Sequence, residues 1–156
     1  MKTRETVIDL TAAEWSDRPD FARSSGRTAS QRKGLKYERK VEEDLKDLYG
    51  KDVTCGPWIK FSDRRGTGHA QPDFIVDLPD RILIIECKLT YKPKAKDKLR
   101  RVYARLIRLL NPKPRLCVQV CRGFGGWLDP GTELTDLAAL ARIPLKDRDY
   151  VVVHHW

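Results

Sequence analysis

The stretch QPDFIVDLPDRILIIECK, residues 71–88, contains two short apolar runs rich in β-branched side chains, each bounded by turn residues. They read as two buried strands joined by Leu78-Pro79-Asp80-Arg81. Proline suits the second position of a type I turn, so the connection is four residues long and Asp77 faces Ile82. Counting outward one residue at a time on each strand brings Asp73 opposite Glu86, with Cβ atoms ~5 Å apart. Side chains alternate along a strand, so Lys88, two residues beyond Glu86, points the same way. A three- or five-residue connection would instead turn Asp73 to the other face.

Two carboxylates facing each other on neighbouring strands repel, and a chain selected for stability alone has no reason to keep them. A bound cation removes the conflict. An oxygen-only ligand set suits a hard ion, so Mg²⁺ (or Mn²⁺) on Asp73 and Glu86 is the expectation. Such an ion activates water and stabilises charge on a phosphate oxygen. A neighbouring ammonium, here Lys88, orients the water or offsets the negative charge of the transition state. The plainer reading is an exposed Glu–Lys pair at a strand end beside a turn aspartate.

The flanking segments suggest the fold. Residues 1–32 lack periodicity and read as a flexible or peripheral basic arm, in which Arg23, Arg27 and Arg32, with Lys33 just beyond, could touch phosphates. Residues 33–156 form the single remaining domain. Leu35, Val41, Leu45 and Leu48 make a helical stripe ending at Gly50, and this helix also carries Lys36. PWIKFSD (57–63) reads as a strand and RRGTGHAQ (64–71) as a glycine-containing loop. After Pro93, Leu99, Val102, Tyr103, Leu106 and Leu110 make one apolar helix face, while Lys98, Arg101, Arg105 and Arg108 lie elsewhere on the cylinder. RLCVQVC (115–121) is a further strand, GFGGWLDPG (123–131) a loop, TELTDLAALAR (132–142) a short helix capped near Thr132, and DYVVVHHW (149–156) a terminal strand. The order implies an α/β fold: a mixed central sheet flanked by helices, with the first three strands forming a meander.

At 156 residues the chain is about one domain long, and 31 Lys+Arg against 22 Asp+Glu give a net charge of +9. The imbalance is concentrated between Lys88 and Arg115, where eleven basic residues meet the single acid Asp97. A polyanion, DNA above all, is the expected partner, held by Lys94, Lys96, Lys98, Arg101, Arg105 and Arg108 together with Lys33 and Lys36. No apolar run approaches the ~20 residues needed to span a bilayer, and no secretory leader stands at the N-terminus. The expectation is a cytoplasmic protein without a membrane partner. Cys55, Cys87, Cys117 and Cys121 form no CxxC pair, and the last three lie in apolar runs, so buried free thiols are expected.

Pro72-Asp73, a twelve-residue spacer, then Glu86-Cys87-Lys88 resembles the signature of the PD-(D/E)xK nuclease superfamily. The element order between Gly34 and Cys121 is similar to its restriction-endonuclease-like αβββαβ core, here with a C-terminal helix and strand appended. RKGLKYERKVEEDL (32–45) is similar to the opening helix of archaeal Holliday junction resolvases and related phage or recombination nucleases. The resemblance implies that Asp73 and Glu86 ligate the metal, that Glu38 binds it directly or through water, and that Lys88 is the catalytic lysine. It further implies a structure-selective endonuclease, acting as a homodimer on branched DNA in recombination, repair or phage DNA processing, in the nucleoid or a phage-infected cell. Gln119, alone in an apolar strand, either reaches the site or is a satisfied core amide. His69 either contacts a phosphate or is an ordinary loop histidine. The alternative function is a catalytically inactive nucleic-acid-binding module on the same fold.

Overall fold

A computed structural model describes residues 6–22, 28–123, 133–134, 136–146 and 148–156. Its strands are β1 (Ala12–Ser16), β2 (Val53–Cys55), β3 (Trp58–Asp63), β4 (Gly66–Ala70), β5 (Phe74–Asp77), β6 (Ile82–Thr90), β7 (Arg115–Gly123), β8 (Glu133–Leu134) and β9 (Tyr150–His154). Helix α1 spans Ala29–Tyr49, and α2 (Pro93–Lys98) runs through a π-turn at Leu99–Tyr103 into α3 (Ala104–Leu110). One six-stranded mixed sheet has the order β2-β5-β6-β7-β9-β8, and a separate three-stranded sheet has the order β1-β3-β4.

The hairpin has the register expected from its turn. Phe74 pairs with Ile85 and Asp77 with Ile82, and the Leu78 N–H donates to the Arg81 carbonyl at 2.9 Å. Beyond it, β6 runs parallel to β7, which is why a helix must cross between them. The central strands read as continuous apolar runs because both faces are covered. Ile75, Ile82, Ile84, Cys117 and Cys121 pack under the 93–110 helix, which contributes Leu99, Val102, Tyr103, Leu106 and Ile107. Phe74, Val76, Leu83, Ile85, Val118 and Val120 pack on the opposite face against Tyr37, Val41 and Leu45 of α1, with Leu137 and Leu140 from a 3₁₀ turn at Leu137–Ala141. The four cysteines are free, with Cys117 and Cys121 buried, Cys87 partly buried and Cys55 exposed.

Several expectations about elements need correction. The meander is not continuous: the short β2, and not β3, is the strand that pairs with β5. Gly56, at φ +53°, turns the chain out of the main sheet just before Pro57. A Cβ at Gly56 would come 3.0 Å from the Gln71 amide nitrogen, and that amide donates to the Gly56 carbonyl at 2.9 Å. β3 therefore starts a second sheet. The stretch expected as a loop, residues 64–71, is largely β4, paired antiparallel with β3. Its reversal is held by the buried Asp63, which accepts from the Arg65 N–H at 2.9 Å and from the Ile8 N–H at 3.1 Å.

Within the stretch read as an arm, β1 pairs with β3 and Val7 is buried in the core. Residues 23–27, including Arg23 and Arg27, lie outside the described residues, as does most of the 123–131 loop and the cap expected at Thr132. The helix expected there is instead strand β8 followed by the 3₁₀ turn, capped by Asp136, whose carboxylate accepts from the Ala138 N–H. The division between residues 32 and 33 falls inside the first turns of α1, which begins at Ala29. A capping box explains that start: Thr28 Oγ1 accepts from the Gln31 N–H at 3.2 Å while Gln31 Oε1 accepts from the Thr28 N–H at 2.8 Å. Thr28→Ala is expected to cost about 1 kcal/mol, lowering Tm by roughly 2–4 °C in a melting scan.

Candidate active site

Asp73 leads into β5 and Glu86 lies in β6, so the hairpin register alone brings the two carboxylates together. Each is tied to the other strand: the Asp73 N–H donates to Glu86 Oε1 at 3.1 Å, and the Cys87 N–H donates to Asp73 Oδ2 at 2.8 Å. Glu86 is 4% exposed, and Lys88 Nζ lies 4.0 Å from Glu86 Oε2 with its side chain partly open to solvent. Asp73, Glu86 and Lys88 thus converge on the face covered by the 93–110 helix.

Burial and the Asp73 charge push the Glu86 carboxyl up to about 8. Burial also raises Asp73, although the Cys87 N–H, Lys88 and Lys98 pull it back. The pair therefore holds protons that two exposed carboxyls would have released, as expected for facing acids withdrawn from water.

The helix contributes two further groups. β6 ends at Thr90 and the helix opens at Pro93, so its first turns lie beside the carboxylates and its last turns lie at the opposite end of the strands, where β7 begins. Lys98, in those first turns, draws down both Asp73 and Glu86. Its Nζ stands 5.3 Å from the centroid of the Tyr103 ring. The Tyr103 hydroxyl donates to the Gln71 carbonyl at 3.1 Å, and burial together with the nearby Glu86 and Asp73 charges raises its pKa. The π-turn between Lys98 and Tyr103 is closed by the Ala104 N–H reaching back five residues to the Leu99 carbonyl. Such turns shift the helix register locally and recur at functional sites. Tyr103 reads from the sequence as part of an apolar stripe; the signal was its hydroxyl, which needs a partner wherever the ring is buried.

The other nominated residues are scattered. Glu38 stands on α1, across the sheet, where its charge bears on the Cys55 and Cys87 thiols. Among the described residues no group of three His, Cys, Asp or Glu side chains is close enough to hold a metal ion, although Glu38 bears on the Cys87 thiol together with Asp73 and Glu86. Gln119 lies directly opposite Glu86 in the β6–β7 pairing, but its amide is engaged elsewhere. Its Oε1 accepts from the Lys92 N–H at 2.7 Å, and its Nε2 donates to the Lys92 carbonyl and the Tyr150 hydroxyl, both at 3.0 Å. That is the satisfied core amide, and its effect on the site is indirect, through fixing the start of the helix.

His69 is a β4 residue opposite Lys60, with its ring edge-on to Phe21 at 5.5 Å. Burial and Lys60 hold its pKa below the ordinary value, and its Nδ1 is buried without a hydrogen-bond partner. Of the helix cations, Lys94, Arg101 and Arg108 are exposed, Lys96 lies over the Tyr150 ring at 5.0 Å, and Arg105 donates to the Val7 carbonyl at 3.2 Å. Arg122 and Lys40 were not singled out in the sequence; they join Lys33 and Lys36 around a cavity on the α1 face.

No helix among the described residues is long and apolar enough to cross a membrane. In comparisons with known proteins, the chain matches no protein-family model and no curated protein.

Proposed function

We propose that the protein is a divalent-metal-dependent deoxyribonuclease of PD-(D/E)xK type that hydrolyses phosphodiester bonds, with a preference for branched or junction DNA. The observation that carries this reading is the buried, facing pair Asp73 and Glu86 with Lys88 at its open side. Within the larger sheet the chain order α1, β2, β5, β6, helix, β7 supports the αβββαβ core, with β3 and β4 as an insertion.

The donor set fits Mg²⁺ or Mn²⁺. Both ligands are carboxylates, one oxygen of each is already oriented by a backbone N–H, and hard ions of this kind take one or two carboxylates alongside water and phosphate oxygens. When bound, the ion would supply an activated water and stabilise the negative charge that builds on the phosphate oxygens. Lys88 would orient the attacking water or offset the developing charge, and Lys98, whose charge reaches the same carboxylates, would attract the substrate phosphate. Tyr103 acts by holding the Gln71 backbone in place beside the pair. The exposed cations Lys94 and Arg101 contact the flanking backbone, which positions DNA without reading its sequence.

The test is incubation of supercoiled plasmid and a labelled four-way junction with Mg²⁺, Mn²⁺ or EDTA. Metal-dependent cutting that Lys88→Ala lowers about 10²-fold or more is the expected result, and the preferred substrate reads out the structural selectivity. Tight DNA binding with no cutting under either metal refutes catalysis and leaves a binding module. Affinity is expected to fall more than about tenfold between 50 and 200 mM salt, measured by anisotropy in EDTA.

A further inference from the structure

On the sheet face opposite the carboxylates, the described residues form a cavity of about 400 Å³ lined by Lys33, Lys36, Tyr37, Lys40 and Arg122. Its walls follow from local geometry. Lys33, Lys36 and Lys40 recur at three- and four-residue spacing, so they share one face of α1. Arg122, near the end of β7, has the parity of Val118 and Val120, which pack beneath α1. Tyr37 forms the floor, with its hydroxyl committed to the His155 carbonyl at 2.7 Å. Lys40 is paired with Asp44 at 3.0 Å. Among the described residues Lys33, Lys36 and Arg122 have no carboxylate partner, although all three are exposed side chains around one concavity.

Water screens the mutual repulsion of exposed cations far more than that of the buried carboxylates, but around one hollow their charges sum to a positive potential that favours an anion. The volume is at the small end of ligand pockets, roughly 300–1,000 Å³, and is the size of a nucleotide and not of a duplex. Three unneutralised cations match a phosphomonoester, which carries about −1.5 to −2 at pH 7, better than the single charge of an internal diester. Arginine adds a planar fork suited to paired phosphate oxygens.

We propose that this cavity binds the phosphomonoester of a nucleotide, either at the end of a DNA strand or as a free mononucleotide. Its place in the reaction rests on the nuclease reading. The cavity lies on the α1 face of the sheet and Asp73 and Glu86 on the other, so a phosphorylated end is recognised here at a distance from the carboxylates that act on the DNA.

The experiment measures binding in EDTA, where no cleavage occurs, using short single-stranded oligonucleotides labelled internally and carrying a 5′-phosphate, a 3′-phosphate or hydroxyl ends. A phosphorylated end of one polarity is expected to bind about tenfold more tightly than hydroxyl ends. The Lys36→Ala/Arg122→Ala double variant is expected to lose that preference, and Lys36→Arg to keep it. Competition by a nucleoside monophosphate assigns the free nucleotide as a ligand too, and its failure assigns the strand end alone; either outcome supports the cavity. Equal binding of all three oligonucleotides by the wild-type protein, which needs no variant to fold, overturns it. So does a preference that survives in a double variant with an unchanged melting curve. A parallel arm with Mn²⁺ keeps the two readings apart. End preference without cleavage leaves the cavity and sinks the nuclease, whereas cleavage without end preference does the reverse.

Discussion

Asp73→Asn is expected to lower metal-dependent DNA cleavage by at least about 10³-fold while leaving DNA binding in EDTA within about twofold of the wild type. The argument is geometric. Asn keeps a carbonyl oxygen that can accept the Cys87 N–H in place of Asp73 Oδ2, and the Asp73 N–H still donates to Glu86, so the hairpin bonds persist. What is lost is a negative charge on one of the two side chains proposed to hold the metal, and with it several kcal/mol of the metal binding and transition-state stabilisation that the proposal assigns to them. Isothermal titration with Mn²⁺ reads the same change directly: a site in the wild type that disappears in Asp73→Asn. If cleavage survives the substitution, or if the titration is unchanged, Asp73 is not a metal ligand and the nuclease reading fails at its centre.

The parts of this site legible in the sequence were those set by local rules. The turn at Leu78-Pro79-Asp80-Arg81 determines the hairpin register, the register determines that Asp73 meets Glu86, and strand alternation turns Lys88 to the same side. The long central strands and the apolar stripe of α1 were legible for the same reason, since a side chain buried on both faces or on one stripe leaves a periodic trace. What was hidden depended on tertiary contact. β4 buries Gly68 and Ala70, small side chains whose alternation carries no hydrophobic signal, and β3 leaves the main sheet because of the backbone conformation of one glycine. Glu38 follows the spacing of an opening-helix acid; α1 packs on the opposite sheet face, and Glu38 approaches the pair only around the Cys87 thiol, on which all three charges bear. Lys98 and Tyr103 look like one charge among many and one ring in a stripe until the π-turn sets both beside Glu86. The basic cavity joins residues some eighty positions apart, which no local pattern marks.

Glu86→Gln is expected to stabilise the metal-free protein at pH 8 by about 5 °C in Tm while abolishing cleavage, and the two effects have one cause. In the folded protein Glu86 titrates near 8, with burial as the main reason and the Asp73 charge as the second. In the unfolded chain it titrates near the ordinary value of 4.5. Between those limits the folded state holds a proton that the unfolded state has released, so stability falls as pH rises. The stabilising contribution is fully present below the unfolded pKa and is lost on passing through the folded one; the raised Asp73 acts in the same direction. The wild-type protein in EDTA should therefore melt lower at pH 8 than at pH 5, and Gln, which carries no charge to desolvate, should flatten that slope. Mn²⁺ competes with the proton for the same oxygens, so it should raise the wild-type Tm more at pH 8 than at pH 5 and leave Glu86→Gln nearly unmoved. A wild-type Tm that is insensitive to Mn²⁺ at pH 8 would mean that the strain of the paired carboxylates is relieved by protons alone. The pair would then be a structural feature of the hairpin, and the case for catalysis would lose the physical reason on which it rests.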